Sequence, residues 1–357
     1  MTEYKWRAFV GFDGFVDRIL SVVERRWGGG DHFQPMETIE CLAQRVQDAI
    51  GKSTNIELVL REERMGGNGP ILANALLKGH VDVTYIGALG NPIGPLFAAL
   101  EREAHVYSIA ESGTTHALEF KDGKLLLGEM SSLSDISLEA VKKLIASASL
   151  RESIASMDLL AFVNWTMTPE MNPIVAWILS EILSPKAETH RPWIFFDLAD
   201  PCKRSKEDLC HFLKNLSHWN QKGRVVLGLN LKEAQQVISL WLNISCDGDS
   251  PELLMSTAEQ LRKALDIHTL FIHPTSYAVV ASQGDTYGID YREQGLFVEV
   301  PKILTGAGDN LNAGFLLALL QGKTPREALL QGVYYASFYI RHAVAPDFCD
   351  PQSLLTL

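Results

Sequence analysis

Six short, continuously apolar runs constrain the fold of this 357-residue chain more than any other feature. Each run is followed by turn residues and then by a segment of helical periodicity; the runs are RAFVGFDG, VTYIGALG, LLAFVNW, WIFFDLAD, RVVLGLN and TLFIHP. Strands that are apolar at every position are typical of a parallel sheet covered on both faces. Strands that alternate with helices form βαβ units. The sequence therefore predicts an α/β fold with a doubly wound, mostly parallel sheet and helices on both faces.

Two segments, about 14–65 and 105–130, interrupt this alternation. The first contains three consecutive glycines, a helix expected near 37–50 and the alternating run NIELVLREER. The second contains HVYSIAES and a hairpin pattern with Asp122-Gly123 as its turn. Because alternating strands have one wet face, we predict that both segments form a small β lid within a single domain, 1–357. The other helices are expected at about 70–79, 137–148, 170–183, 205–219, 231–242, 252–265, 309–321 and 325–342.

The composition argues against several functional classes. The formal net charge of −11 disfavours nucleic-acid binding, since phosphate contacts need a basic face. The five cysteines include no C-x-x-C pair, which favours reduced thiols over a disulfide framework. There is no signal-peptide pattern and no apolar run of about 20 residues that would span a bilayer. We therefore predict a cytoplasmic protein without a nucleic-acid or membrane partner.

The segment LTGAGD places two glycines and a carboxylate shortly before the apolar run FLLALL. If that run is helical, Gly306, Ala307 and Gly308 turn three backbone amides toward the helix start, where an anion binds favourably. A carboxylate beside a bound phosphate is unfavourable unless it has a task. Asp309 is thus a candidate acceptor of a proton from an attacking hydroxyl. The alternative is a glycine turn followed by an ordinary acidic residue of the first helical turn.

The segment GLNLKEAQQ follows a buried strand and begins a helix. Asn230 and Glu233 are three residues apart, so they face the same side of the first turn. Their oxygens are the hard ligands that hydrated Mg²⁺ accepts. The alternative is a capping box that needs no metal.

Two further segments end strands or begin helices near the same predicted edge. GFDGFVD carries Asp13 and Asp17, each able to accept two hydroxyl hydrogen bonds. MGGNGPILANAL carries Gly66, Gly67 and Asn68, where glycines permit close backbone approach and the amide suits a hydroxyl-rich ligand. Surface turns and a tight loop into a helix are the alternative explanations.

The order of these four motifs resembles that of the ribokinase-like (PfkB-type) carbohydrate kinase family over essentially the whole chain. The most specific part is Thr305-Gly-Ala-Gly-Asp309, followed by Asn312-Ala-Gly-Phe. The resemblance implies a ribokinase-like fold with a β lid and an ATP- and Mg²⁺-dependent kinase acting on a sugar. A monovalent cation is a further candidate cofactor.

The resemblance also implies roles for individual residues. Asp309 matches the family's catalytic base, and the amides of 306–308 match its anion hole. Asn230 and Glu233 match the element that positions Mg²⁺ through water. The remaining matches are nucleotide contacts at Thr305 and Asn312 and sugar contacts at Asp17, Asp13, Gly66, Gly67 and Asn68. Asn164 is a further candidate sugar contact, because NWTMTPEM ends a strand at the ligand face.

Three segments leave alternatives open. His273-Pro274-Thr275-Ser276 stands where the family has a glycine-bearing strand end, which leaves the nucleotide preference open. Trp165 is either a stacking platform for a ring or a packed core residue. The segment Asp197–Lys206 is either a plain loop or a holder of Mg²⁺-bound water or phosphate.

We predict an enzyme that transfers the γ-phosphate of ATP to a hydroxyl, expected to be a CH₂OH, of a carbohydrate. Two alternatives remain at this point: a nucleoside or vitamin-precursor kinase of the same fold, and a non-catalytic regulator that binds sugar or nucleotide. The exposed strands of the lid also predict a homodimer formed through the lid.

Overall fold

The computed structural model describes residues 5–183, 191–245 and 250–347. Within these ranges the chain forms fourteen strands: β1 (Trp6–Phe12), β2 (Phe15–Arg26), β3 (Phe33–Pro35), β4 (Leu58–Gly66), β5 (Val81–Ala88), β6 (His105–Ala110), β7 (Gly113–Phe120), β8 (Gly123–Glu129), β9 (Leu159–Phe162), β10 (Trp193–Asp197), β11 (Arg224–Leu229), β12 (Thr269–Ile272), β13 (Tyr277–Ser282) and β14 (Asp285–Asp290). The same ranges contain eleven α-helices: α1 (Ile39–Asp48), α2 (Asn68–Lys78), α3 (Ala98–Glu103), α4 (Leu138–Leu144), α5 (Ala148–Ala155), α6 (Met171–Trp177), α7 (Lys206–Asn220), α8 (Leu231–Leu242), α9 (Pro251–Leu265), α10 (Ala307–Leu320) and α11 (Pro325–His342).

Nine strands form the main sheet in the order β14-β13-β12-β11-β10-β9-β1-β5-β6. All neighbours from β12 to β6 are parallel, and only β13 and β14 are added antiparallel. All six apolar runs form strands of this sheet. The prediction of a doubly wound, mostly parallel sheet is confirmed.

Side chains of the sheet pack into two separate cores. In β11, Val225 and Leu227 belong to one core and Val226 to the other, as the period-two alternation of a strand requires. Helices α6 to α9 cover the first face, and α2, α10 and α11 cover the second. Both faces of the strands are therefore buried, which explains their continuous apolar character.

The lid is a second, five-stranded sheet of β2, β3, β4, β7 and β8. Its own small core contains Leu20, Val22, Met36, Leu42 and Leu118. The expected hairpin is present, although Phe120 pairs with Gly123, so its turn lies one residue earlier than Asp122-Gly123.

One part of the predicted lid lies elsewhere. The segment 105–130 was expected to belong to it as a whole, but β6 pairs in parallel with β5 in the main sheet. It alternates because it is the edge strand of that sheet and is covered less completely than the central strands. The second of the two segments that form the lid sheet therefore begins at Gly113, not at residue 105.

The helix predictions differ from the structure at few places. The helix expected at 137–148 is α4, which ends earlier, at Leu144; Ser137 caps it by accepting a hydrogen bond from the amide of Ala140 at 3.1 Å. Helices α3 and α5 were not predicted. The hairpin of β13 and β14 was not predicted, because the sequence of β13, YAVVAS, follows the end of β12 so closely that it resembles part of the same segment. Within the described ranges, no helix combines the length and apolar character needed to cross a membrane.

Candidate active site

The carboxyl ends of β1, β9, β10 and β11 lie next to each other at one edge of the main sheet, as the parallel register requires. Helices α2, α8 and α10 begin at or near this edge. Ligand sites in doubly wound sheets lie in such positions. The four motifs of the sequence analysis are therefore neighbours in space, although they are far apart along the chain.

Asp13 follows β1 and holds this edge together. Its carboxylate accepts hydrogen bonds from the backbone amides of Asn68 (2.9 Å) and Gly69 (2.7 Å) and from Nδ2 of Asn164 (2.7 Å). Burial raises the pKa of Asp13 to about 6, although these bonds lower it. The bonds fix the start of α2 and the loop after β9, so Asp13 positions other site residues. Its predicted contact with a sugar stays a prediction.

Asp309 lies in the first turn of α10 and is 7% exposed. Nδ2 of Asn68 donates a hydrogen bond to its Oδ1 at 2.8 Å. Burial raises the pKa of Asp309 to about 8; the bond from Asn68 lowers it, and the negative charges of Asp13 and Asp17 raise it. A carboxyl group with a pKa near neutrality is suited to proton transfer.

A cavity of about 290 Å³ lies between the lid and this edge. Asp309 lines it together with predicted sugar-contacting residues, namely Asp17, Gly67, Asn68 and Asn164. Asp17 projects from β2 in the lid, where its carboxylate accepts a hydrogen bond from Thr115, and burial raises the pKa of Asp17. The structure thus brings lid and main-sheet candidates to one cavity, whereas Asp13 and Gly66 are not among the residues that line it.

Gly66 explains how Asp17 is placed. A Cβ atom at Gly66 would lie 2.4 Å from Oδ1 of Asp17, far inside contact distance. Gly67 has φ of +92°, a conformation that side chains disfavour. The glycine pair predicted from the sequence therefore lets the backbone approach Asp17 and turn into α2.

The start of α10 has the geometry expected of an anion site only in part. Gly306 caps the helix with φ of +91°, and Gly308 packs beside the ring of His273. The amide of Ala307, however, donates to the carbonyl of Leu304 at 3.2 Å. The predicted anion hole at 306–308 therefore rests mainly on the two glycine amides and on the helix dipole.

A lysine of the lid reaches this helix start. Nζ of Lys124, at the start of β8, donates to Oγ1 of Thr305. Burial lowers the pKa of Lys124, and the neighbouring charges of Glu119 and Asp17 raise it. Sequence reasoning missed this residue because a single lysine in a hairpin carries no motif.

The loop after β12 is where the sequence departs from the family pattern. A Cβ atom at Gly308 would lie 3.4 Å from Cε1 of His273, so the imidazole stands next to the helix start. Burial lowers the pKa of His273 to about 4, which keeps the ring neutral at physiological pH. A neutral imidazole adds a hydrogen-bond donor, not a charge, to this side of the site.

Asn230 and Glu233 form the capping box that was the alternative to a metal site. Oδ1 of Asn230 accepts from the amide of Glu233, and Oε2 of Glu233 accepts from the amide of Asn230, both at 3.0 Å. Oε1 of Glu233 accepts from the amide of Asp200 at 2.9 Å. Burial raises the pKa of Glu233. Each carboxylate oxygen keeps a second lone pair that can accept a hydrogen bond from water.

Asp197 completes this acidic region at the end of β10. Nδ2 of Asn312 donates to its Oδ2 at 3.0 Å, while its buried Oδ1 has no hydrogen-bond partner. Burial, and then the charges of Glu233 and Asp309, raise the pKa of Asp197 well above its usual range. No set of three or more potential ligands in the described ranges is arranged around a metal position. The unpartnered oxygen and the acidic surroundings fit a hydrated Mg²⁺ bound through its waters.

Trp165 has a structural role, and Arg204 of the segment after β10 packs against it. The ring of Trp165 is fully buried against Phe212 and donates to Asn172 at 2.7 Å, so it is the packed residue of the two alternatives. The guanidinium of Arg204 lies 4.1 Å from the centre of this ring. Of the segment Asp197–Lys206, Ala199 and Lys203 line the cavity.

Comparisons with known proteins identify the family and the fold of the chain. A family model described as prokaryotic ketohexokinase matches residues 4–356. A ketohexokinase of Haloferax volcanii is 24% identical over 344 residues, which cover 96% of this chain and 88% of that protein. The ribokinase of Thermotoga maritima superposes with a TM-score of 0.62 at 15% identity, covering 99% of this chain and 100% of that one. A nucleoside kinase of Methanocaldococcus jannaschii gives a TM-score of 0.63 at 16% identity, covering 99% and 98%. The chain therefore has the ribokinase fold, belongs to the prokaryotic ketohexokinase family and is a carbohydrate kinase.

Proposed function

We propose that this kinase transfers the γ-phosphoryl group of ATP to a CH₂OH hydroxyl of a ketohexose bound between the lid and the main sheet. The observation that carries the proposal is the placement of Asp309, a buried carboxyl group held by Asn68 at a helix start and facing the cavity. The acceptor class follows from the family, since the curated relative is named a ketohexokinase.

The proton step belongs to Asp309. Its carboxylate accepts the proton of the sugar hydroxyl as the oxygen attacks phosphorus, a role typically worth about 10²–10⁴-fold in rate. Asn68 holds the carboxylate in one orientation through the bond to Oδ1, which leaves Oδ2 for the hydroxyl. Phosphoryl transfer needs little else from the protein than positioning and charge stabilisation.

Charge stabilisation comes from two sides of the transferring group. The amides of Gly306 and Gly308 and the dipole of α10 face it from the main sheet. Lys124 faces it from the lid, where its Nζ already contacts Thr305 beside Gly306. Closure of the lid over this point excludes water, so that hydrolysis of ATP does not compete with transfer.

The acidic region supplies the place for Mg²⁺. Glu233 and Asp197 are the residues that would hold it through water, with Asn230 and Asn312 fixing the two carboxylates. When bound, the ion neutralises charge on the β- and γ-phosphates. A sugar is held on the other side by Asp17, Asn164 and the loop Gly66–Asn68.

The first experiment is to measure ADP release from Mg-ATP over a panel of acceptors. The panel contains fructose, tagatose, psicose, glucose, ribose, adenosine and a hydroxymethylpyrimidine. We expect turnover with ketohexoses, lost by about 10²–10⁴-fold in Asp309→Asn, as expected for removal of a general base. The control is Asp31→Asn, since Asp31 is an exposed lid residue whose side chain is 82% accessible.

Each other outcome selects an alternative. Turnover only with adenosine or the pyrimidine would replace the ketohexose by a nucleoside or vitamin precursor. Sugar or nucleotide binding without turnover would favour the non-catalytic regulator. Replacing ATP by other nucleoside triphosphates tests the nucleotide preference, which the neutral His273 beside Gly308 leaves open. Assays in K⁺ and Na⁺ test a monovalent cation as cofactor.

We also propose that the protein is a cytoplasmic homodimer of single-domain subunits. The outer surface of the lid exposes Leu58, Leu60 and Leu127 by 42–52% of their area, and a second lid is a suitable partner for such an apolar surface. Three thiols, Cys41, Cys202 and Cys210, are unpaired, which suits a reducing compartment. Sedimentation that shows only monomer at micromolar concentration would contradict the dimer.

A further inference from the structure

A second cavity, of about 370 Å³, lies at the edge of the main sheet opposite the candidate active site. Its walls include the start of β1 at Trp6, the starts of β10 and β11, and the C-terminal end of α10 at Leu319 and Leu320. Leu320 follows Asp309 by 11 residues in α10, so about 16 Å separate this cavity from Asp309 at a rise of about 1.5 Å per residue. The two cavities share no residue of their walls.

Two arginines of this cavity are incompletely bonded. Arg191 donates through Nη2 to the carbonyls of Asn220 and Gly223, the latter at 2.8 Å. Arg224 donates through Nη2 to the carbonyl of Arg191 at 3.1 Å. Within the described residues, the Nε atom of each guanidinium is buried and has no hydrogen-bond partner. A buried, charged donor without an acceptor is unfavourable, so the described residues satisfy these two guanidinium groups only in part, and an anion in the cavity would be a favourable partner for them.

The surroundings of the two guanidinium groups are electropositive. Burial lowers the pKa of Arg224, and the charge of Arg191 lowers it further. Burial and then the charges of Arg224, Arg191 and Arg262 lower the pKa of His268 to about 4, so the imidazole beside Trp193 stays neutral. A protein of net charge −11 thus keeps several positive groups together at this edge.

The cavity carries one carboxylate against three cations. Lys5, Arg191 and Arg224 line it together with Asp158, whose Oδ2 accepts from the amide of Arg7 at 2.9 Å. The net local charge favours an anion, and two guanidinium forks match the geometry of a phosphate better than that of a single carboxylate.

The rest of the wall is aromatic and aliphatic. The guanidinium of Arg224 lies 3.8 Å from the ring centre of Trp193, which orients it along the wall. Nζ of Lys5 lies 4.9 Å from the ring centre of Trp6, which is only half-buried. Trp6 and the leucines at the end of α10 form an apolar part beside the positive part.

We propose that this cavity binds a small phosphate monoester, with the phosphate bridging Arg191 and Arg224 and its organic group against Trp6 and Leu320. The site is separate from the proposed active site and does not depend on the proposed activity. Its occupant contacts the C-terminal end of the helix whose first turn holds Asp309, which gives it a route to influence the kinase through α10.

Isothermal titration of the full-length protein with phenyl phosphate and with inorganic phosphate at low ionic strength tests this proposal. We expect one phenyl phosphate per chain and tighter binding than that of inorganic phosphate, because only the ester has an apolar group. Arg224→Met and Arg191→Met should each weaken the affinity at least 10-fold. Arg224→Lys, which keeps the charge but loses the fork, should weaken it less than Arg224→Met.

Two control variants separate this site from others. Lys214→Met removes an equivalent charge from the exposed face of α7, and Lys124→Met removes the cation at the candidate active site. Neither should change the affinity. The proposal is overturned if the unsubstituted protein binds no phenyl phosphate. It is also overturned if Lys124→Met abolishes binding or if the arginine variants, shown to be folded by circular dichroism, bind as tightly as the unsubstituted protein. Equal affinities for the two anions would overturn the role of Trp6.

Discussion

Asn68 and Asp309 are 241 residues apart in the sequence, and Nδ2 of the first donates to Oδ1 of the second at 2.8 Å. The bond joins the first turn of α2 to the first turn of α10. Asp13, beneath them, accepts the amide of Asn68 at 2.9 Å. The orientation of the candidate base is therefore set by a chain of hydrogen bonds that begins at the end of β1.

This arrangement predicts the pH dependence of kcat/KM. Burial raises the pKa of Asp309 to about 8, and the carboxyl group must be ionised to accept a proton. We expect kcat/KM to rise with pH through a single ionisation, to reach half of its maximum near pH 8 and to level off only at higher pH. Asn68→Ala removes a bond that lowers the pKa of Asp309, so the rising limb should move to higher pH. Steady-state kinetics between pH 5.5 and 9.5, a range of about four units around that pKa, measure both effects.

The pH dependence of stability provides an independent test of the raised pKa of Asp309. The pKa of Asp309 is raised from 3.8 to about 8 on folding, so its favourable contribution is complete below pH 3.8 and is lost as pH rises to about 8. The melting temperature should therefore fall across this window more steeply in the unsubstituted protein than in Asp309→Asn. Asn215→Ala, on the surface of α7, is the control and should shift neither profile. If the rising limb of kcat/KM stayed at the same pH in Asn68→Ala, the hydrogen bond from Asn68 would not lower the pKa of Asp309.

Lys124 is predicted to act on the transferring phosphoryl group. Its Nζ contacts Thr305 beside the start of α10, and a removed donor at such a position typically costs about 10²–10³-fold in kcat. Because Lys124 is partly solvated, we expect Lys124→Met to lower kcat/KM for ATP by about 10–100-fold, below that range. Lys121→Met is the matched control, since Lys121 lies in the same hairpin but pairs with Glu37 at 2.6 Å on the surface. Equal losses of kcat/KM in Lys124→Met and Lys121→Met would show that Lys124 has no specific role in the active site.

Local sequence patterns were sufficient for the six parallel strands β1, β5 and β9 to β12 of the main sheet and for the helix start before Asp309. The apolar runs predicted their strands because burial on both faces leaves an unbroken signal, and LTGAGD predicted a helix start because glycines and Asp309 are local features. The ambiguity at Asn230 could not be resolved locally, since a capping box and a water-mediated metal site need the same two side chains. Both uses are compatible in the structure.

What the sequence did not predict depends on long-range contacts. The contact between Lys124 and Thr305 joins residues that are 181 positions apart in the sequence, and no local pattern in either segment predicts it. The unpartnered oxygen of Asp197 likewise depends on where β10 ends relative to α10. The edge strand β6 was assigned to the lid because partial exposure makes a main-sheet strand alternate as a lid strand does.

Gly66 is predicted to control sugar affinity through Asp17. A Cβ atom at this position would lie 2.4 Å from Oδ1 of Asp17, so the Asp17 carboxylate must move in Gly66→Ala. We expect KM for the sugar to rise by about 10-fold or more, as for a lost hydrogen bond to a charged group, while KM for ATP stays unchanged. Gly29→Ala is the control, because no atom lies within 4 Å of a Cβ there. A parallel rise in both KM values would indicate a general disturbance of the lid instead.

Asp13 is predicted to contribute stability more than direct sugar contact. Asp13→Ala leaves the buried amides of Asn68 and Gly69 and the side chain of Asn164 without their acceptor. Each unsatisfied buried donor costs about 1–3 kcal/mol. Water entering the vacated space satisfies part of them, so we expect the free energy of unfolding to fall by about 3 kcal/mol, the cost of one to three such donors. Urea denaturation measures this, with Asp31→Ala as the control, because its exposed pair with Arg61 contributes at most about 1 kcal/mol. If Asp13→Ala kept its stability and lost only sugar affinity, Asp13 would be a direct ligand of the sugar, not the residue that positions α2.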